Sequence, residues 1–175
     1  SAELARMFVF GKVNNCRTVL QRHLRDHPDT PDNGLVEALV VRLQQMLTRL
    51  QTPLALDEVR GLEGDAARAY FGVFNVLLNA ASGFEFHERS RRPPLDPINA
   101  LLSFLYTLLA HDCRGACEAV GLDPQVGFLH RDRPGRPGLA LDLMEEFRPF
   151  LVDRLVFTLI NRQQITPKDF ETSET

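Results

Sequence analysis

No stretch of this sequence approaches the roughly 20 uninterrupted apolar residues needed to cross a bilayer, so no membrane-spanning helix is expected. The opening residues, SAELARMFVF, lack the basic-then-apolar order of a secretory signal. Cysteine is scarce. Cys16, Cys113 and Cys117 make an odd count without framework spacing, which points to free thiols in a reducing cytosol. Cys113 and Cys117 fall four apart on an expected helix, but no second Cys/His pair follows at zinc spacing. They read as incidental thiols.

The chain also lacks strand alternation of useful length, a βαβ rhythm, internal repeats and low-complexity tracts. HExxH, paired Glu-x-x-His signatures, EF-hand loops and phosphate-binding glycine loops are missing too. No local motif announces a chemistry.

What is present is enough for one domain with a core: 175 residues, 44% hydrophobic and 25% charged. A net charge of −3 gives no global attraction to nucleic acid, so local distribution matters more. Basic residues gather in two loop-like segments, one holding Arg89, Arg91 and Arg92, the other Arg131, Arg133 and Arg136.

The apolar spacing is helical almost throughout. Residues 2–25 place Leu4, Phe8, Val9, Val13, Cys16, Val19, Leu20 and Leu24 at helical intervals. HPDTPDNG breaks that pattern, and a second helix follows over about 35–50 with Leu35, Leu39, Leu43, Met46 and Leu50 on one stripe. A third segment starts near Leu56 and leads into GLEGDAARAYFGVFNVLLNAA, which is too long for a strand. At RRPPLDPINALLSFLYTLL, Asp96 fits an N-cap and Pro97 the first helical position. Its apolar run to Leu109 covers most of the surface, which predicts a central, buried helix. GLDP at 121–124 repeats the Asp-Pro start signal before QVGFLH. A long element runs over about 139–161, and Pro149 should kink or divide it. ITPKDF looks like one more helix start with Thr166 as cap, and ETSET at 171–175 reads as a disordered polar tail. The fold class is all-α, a single domain of about six to eight helices around one core.

Acids interrupt the apolar faces. Asp142, Glu145 and Glu146 lie among Leu139, Leu143, Met144 and Phe147. Asp142 shares a helical face with both glutamates, which themselves point about 100° apart. One acid can look to solvent; a second facing inward needs a cation. Glu63 raises the same question between Gly61, Gly64, Ala66 and Ala67, small residues that would let a helix or ligand approach. His130 ends the apolar run GFLH. Glu, His and Glu around one point would suit Mg²⁺ or Mn²⁺, with the imidazole favouring Mn²⁺. Spacing alone leaves the bland alternative open, in which the acids are solvated and the histidine is an ordinary hydrogen-bonded residue. Two acids held close without an ion should repel, raising the pKa of one of them.

Several segments together resemble a known family. GLDPQVGFLHRDRPGRPGLALDLMEEFRPFLVDRLVFTLINR is similar to the last helical core of the CRISPR-associated integrase, the endonuclease that captures new spacers. RRPPLDPINALLSFLYTLL, VRGLEGDAARAYF and FVFGKVNNCRTVL resemble further segments of that family in the same chain order, closest to the branch found in type I systems. The resemblance runs from about residue 8 to 170. It implies that Glu63, His130 and Glu145 ligate Mg²⁺ or Mn²⁺, with Glu145 where many relatives have Asp, and that Asp142 tunes or shares the catalytic site. Glu146 has no such role and is expected to be solvated or paired with an arginine.

The resemblance also implies strand transfer, in which a 3′-hydroxyl of captured DNA attacks a phosphodiester of the CRISPR repeat. The implied partners are double-stranded DNA (prespacer and repeat), a second copy of the full-length protein, and the second, smaller CRISPR adaptation protein, in a prokaryotic cytoplasm. The resemblance implies that residues 1–170 are the helical catalytic domain, with the family's N-terminal β-domain expected to be missing from this sequence.

Arginine forks suit phosphates, so Arg89, Arg91, Arg92, Arg131 and Arg133 are the expected DNA contacts, with Lys12, and Asn15 beside it, in the same cleft. Those arginines could instead pair with Asp132, Glu85 and Glu88. Asn99, Tyr106, Asp153, Arg154, Asn161 and Arg162 read as structural hydrogen-bonding residues, with Asp153 a candidate partner for an arginine that orients the site. Two other functions fit the same residues: a plain metal-dependent nuclease or junction-resolving enzyme, and a non-catalytic helical DNA-binding or assembly module.

Overall fold

The structure is a computed structural model that describes residues 1–131 and 133–171. Six α-helices and no strand occur among them: α1 (Ala2–Asp26), α2 (Asn33–Leu50), α3 (Leu56–Gly72), α4 (Pro97–Ala119), α5 (Gly138–Phe147) and α6 (Arg154–Asn161). Of the expected polar tail, residues 172–175 lie outside the described residues.

Helix α1 is the central rod, packed against α2, α3 and α5. Ala5, Val9, Val13, Cys16 and Leu20 line its buried face at three- and four-residue steps. One polar residue, Lys12, intrudes on that face and is only 7% exposed. Helix α2 covers α1 with Val36, Leu39, Leu43, Met46, Leu47 and Leu50. Leu35, expected on this stripe, is 58% exposed, so the seam begins one residue later.

Helix α3 stops at Gly72, short of the apolar segment the sequence extended it through. Side chains compete for the backbone there. Asn75 accepts from Phe86 N–H at 2.9 Å and donates to Phe86 C=O at 2.5 Å. Asn161 takes Asn79 N–H at 2.8 Å and gives to Leu77 C=O at 2.9 Å. These bonds hold a 3₁₀ turn, Phe74–Leu77, whose Phe74 ring meets Phe86 at 4.9 Å and Phe157 at 4.7 Å between centroids.

Helix α4 starts as its sequence indicates, with Asp96 accepting from Asn99 N–H at 2.8 Å and Pro97 at the first position. It is not buried all round: Phe104 and Leu108 are 61% and 46% exposed. Its inner face of Ile98, Leu102, Tyr106 and Leu109 is enough to fix it against α5 and the segment that follows. The three cysteines are buried and free.

GLDP starts no helix. Asp123 instead accepts from Gln125 N–H at 2.8 Å, closing a local turn. At Pro149 the last long element is divided, as expected. After α5 the backbone widens into a π-helical stretch, Arg148–Asp153, and α6 follows. Thr166 begins only one 3₁₀ turn, Pro167–Asp169.

Candidate metal centre and its cleft

Asp142 organises the site. It lies on the second turn of α5 and is 0% exposed. Its carboxylate accepts backbone N–H groups from Phe128 at 2.6 Å, Leu129 at 2.9 Å and His130 at 3.0 Å. A fourth contact, 2.7 Å, comes from His130 Nδ1. Burial alone would raise this carboxyl's pKa; the His130 bond and the three amides outweigh burial and hold it below the usual value. An ionised carboxylate only accepts, so Nδ1 carries a proton, and the lone pair of the neutral ring is the one on Nε2.

The loop must fold back tightly for this. Gly127 and Gly138 make it possible: a Cβ on Gly138 would come within 2.8 Å of the Gly127 backbone.

Glu145 follows one turn later on α5 and is 3% exposed. Its Oε1 lies 3.9 Å from His130 Nε2 and 3.2 Å from Arg148 Nη2. Its Oε2 lies 2.5 Å from Lys12 Nζ, and the same ammonium contacts Glu63 Oε1 on α3. Burial would push the Glu145 carboxyl up, but Lys12 and Arg148 hold it down at about 2. The expectation of a raised pKa from two repelling acids is therefore overturned for Glu145, because a built-in cation stands between the glutamates. Burial disfavours the charge on Lys12, and Glu145 and Glu63 more than restore it. The Lys12 ammonium thus bridges the two glutamates by charge and at hydrogen-bonding distance.

Glu63 and His130 open onto a cleft of about 210 Å³, also lined by Arg60, Leu129, Arg131, Arg133 and Arg136. Arg60 lies three residues before Glu63 on α3 and donates to Leu129 C=O at 2.8 Å, tying α3 to the histidine loop. Gly61 and Gly64 face open space, so no helix packs against them.

The other expected residues divide. Lys12, expected on DNA, spends its ammonium on two carboxylates. Arg89 is half-buried, donating to Asn99 Oδ1 at 2.6 Å, Ser103 Oγ at 3.1 Å and the Ser90 carbonyl, with its guanidinium 5.5 Å above Tyr106. It braces the loop before α4 instead of presenting a free fork. Arg91, Arg92, Arg131 and Arg133 are exposed. Asp132 lies outside the described residues, and Glu85 and Glu88 pair with no arginine among the described residues. Glu146 is exposed and rests against Gly11, and its carbonyl accepts from Asn15 at 2.8 Å.

Asp153 is buried and accepts from Tyr106 Oη at 2.5 Å. Its link to an arginine is indirect, since Arg148 lies 4.7 Å over the Tyr106 ring. Arg60 and Arg148 were missed from the sequence, yet each sits three residues from a site glutamate, Arg60 on the same helix as Glu63 and Arg148 in the turn that directly continues α5.

The donor set fits a hard divalent ion. It offers the carboxylates of Glu63 and Glu145 and an oriented imidazole nitrogen of His130. Among the described residues no three acids, histidines or cysteines are already drawn into a common ligand geometry. The Lys12 ammonium stands between the two glutamates instead.

Comparison with known proteins agrees along the whole chain. It is 54% identical over 176 residues to "CRISPR-associated endonuclease Cas1 1" of Chlorobaculum tepidum, covering 100% of this chain and 51% of that one. It is 57% identical to "CRISPR-associated endonuclease Cas1 2" of Rhodospirillum rubrum, covering 97% and 51%. The chain thus spans about half the length of these curated relatives. Among solved structures, a casposase bound to integration product superposes with TM-score 0.80 at 31% identity, over 99% of this chain and 46% of that one. A partial Cas6-RT-Cas1–Cas2 complex gives 0.85 at 29% identity, over 99% and 50%. The profile of the family described as CRISPR associated protein Cas1 matches residues 1–175, and with these relatives it shows that the chain belongs to the Cas1 family.

Proposed function

We propose that residues 1–170 form the catalytic domain of a metal-dependent DNA integrase that inserts spacer DNA into a CRISPR array. The observation that carries this reading is the meeting of Glu63 and Glu145 at one cation, with His130 Nε2 turned toward Glu145 beside an arginine-lined cleft. Glu63, His130 and Glu145 would hold Mg²⁺ or Mn²⁺. When bound, such an ion supplies charge stabilisation for a crowded phosphate and lowers the pKa of a hydroxyl.

The protein's own groups do the rest. Asp142 keeps the His130 proton on Nδ1 and its lone pair on Nε2. Arg131, Arg133 and Arg136 offer forks to phosphates flanking the reacting bond, with Arg91 and Arg92 further along the surface. The incoming 3′-hydroxyl gives its proton to solvent as its oxygen bonds to phosphorus. The bond from phosphorus to the 3′-oxygen of the preceding nucleotide in the target strand breaks, and that oxygen takes a proton from solvent and leaves as a 3′-hydroxyl. One phosphodiester is exchanged for another, so no nucleotide energy source is needed.

Double-stranded DNA, a second full-length copy and the smaller adaptation protein are the proposed partners, in a prokaryotic cytoplasm. Solved neighbours include a casposase bound to integration product and Cas1–Cas2 complexes, which supports this choice. No helix among the described residues is long and apolar enough to cross a membrane.

A plain nuclease is the second reading, because water in place of the hydroxyl would turn the same site to hydrolysis, and the curated relatives carry the name endonuclease. The test is a strand-joining assay with the full-length protein, its small partner, a labelled prespacer and repeat DNA. Joined product, lost in Glu63→Gln and His130→Ala, supports integration. Cleavage without joining supports the nuclease, and neither product in any ion would leave an assembly module.

A further inference from the structure

We propose that Lys12 is a resident cation that holds the ion-free site together and gives way when a divalent ion enters. This inference rests on the ion reading above. The Lys12 ammonium contacts Glu63 and lies 2.5 Å from Glu145, which are two of the three proposed ligands. Its side chain is only 9% exposed, so it is built into the site.

Charge bookkeeping requires displacement. Glu63, Glu145 and the Asp142 that holds His130 carry three negative charges, and Lys12 and Arg148 carry two positive ones. Lys12 therefore keeps the ion-free cluster within one charge of neutral. A divalent ion added with the ammonium in place would leave an uncompensated positive charge against a largely buried wall. Moving Lys12 away removes that excess and frees an oxygen on each glutamate.

The residue type fits the task. The chain holds eighteen arginines and only two lysines, Lys12 and Lys168. An arginine fork binds through several directional bonds in a fixed plane, whereas an ammonium is a compact point charge on a flexible stem. Lys12 also comes from α1, while the proposed ligands lie on α3, on α5 and on the loop before α5. It can withdraw without moving any of them.

Two measurements on the full-length protein test this. The first is Mn²⁺ affinity by electron paramagnetic resonance, comparing the natural protein with Lys12→Met. Removing the competitor should tighten Mn²⁺ binding at least about tenfold. Equal or weaker affinity would overturn the proposal. Failure of both proteins to bind Mn²⁺ is a different result: it removes the ion reading and the role of Lys12 with it.

The second needs no substitution and so does not depend on the variant folding. Amine acylation is followed by mass spectrometry with and without Mn²⁺, and exposed Lys168 serves as the internal control. Lys12 should be protected without the ion and label at least about ten times faster with it, while Lys168 is unchanged. Lys12 labelling that stays constant or slows on adding Mn²⁺ would overturn the proposal.

Discussion

His130 Nδ1 lies 2.7 Å from Asp142 Oδ1, and the same carboxylate gathers the backbone amides of residues 128–130. One buried acid therefore sets both the loop and the tautomer of the histidine it carries. Asp142→Asn would turn an amide donor toward groups that are themselves donors. We expect faster hydrogen exchange at residues 128–130 and about 10–100-fold weaker Mn²⁺ binding. Unchanged exchange and affinity would mean that the loop is held by other contacts.

Glu145 should stabilise the ion-free domain. Its folded pKa of about 2 lies below the ordinary 4.5. Its contribution is therefore present above about pH 4.5 and is lost as the pH falls toward 2. Glu145→Gln leaves Lys12 and Arg148 short of a counter-charge and should cost roughly 3 kcal/mol at neutral pH. Urea unfolding in chelator at pH 7 and pH 3 checks this, since the gap between the two proteins should shrink at the lower pH.

Asp153 runs the other way. Burial pushes its carboxyl up to about 7, and the Tyr106 hydroxyl and nearby cations offset only part of that. Its folded pKa lies above the ordinary 3.8, so its favourable contribution is full below about 3.8 and fades as the pH rises through 7. The natural protein should lose on the order of 3 kcal/mol from this group between pH 4 and pH 8. Asp153→Asn should lack that part of the slope in denaturant unfolding across the range.

The arginine loop should act through phosphates. Each phosphate contact adds about −0.9 to the salt slope on duplex DNA. Replacing Arg131 and Arg133 by alanine should flatten the slope by roughly one to two units and weaken unrelated sequences about equally. Activity should fall further than binding if the loop positions the reacting phosphate. An unchanged slope in a salt series would place the DNA path elsewhere.

The helices were legible because their apolar positions repeat at helical intervals and their ends carry ordinary signals, Asp96-Pro97 above all. Periodicity could not see Asn75 and Asn161, whose side chains replace helical bonds after Gly72. Nor could it tell a fully covered α4 from one that leaves Phe104 and Leu108 exposed. At the site, apolar neighbours marked Glu63, Asp142 and Glu145 as acids needing partners. The partner was the hidden part: Lys12 sits 51 residues from Glu63, and only the packing of α1 on α3 and α5 brings them together. Arg89 misled because a basic loop looks alike whether its forks face solvent or, as here, Asn99 and Tyr106.

The most direct test of the central claim is electron spin-echo modulation of Mn²⁺ bound to the full-length protein. Glu63, His130 and Glu145 as ligands should give one Mn²⁺ per active site with a ¹⁴N coupling from imidazole. That coupling should vanish in His130→Ala, and binding should weaken sharply in Glu63→Gln. A bound ion without ¹⁴N coupling, or one indifferent to both substitutions, would contradict the assignment.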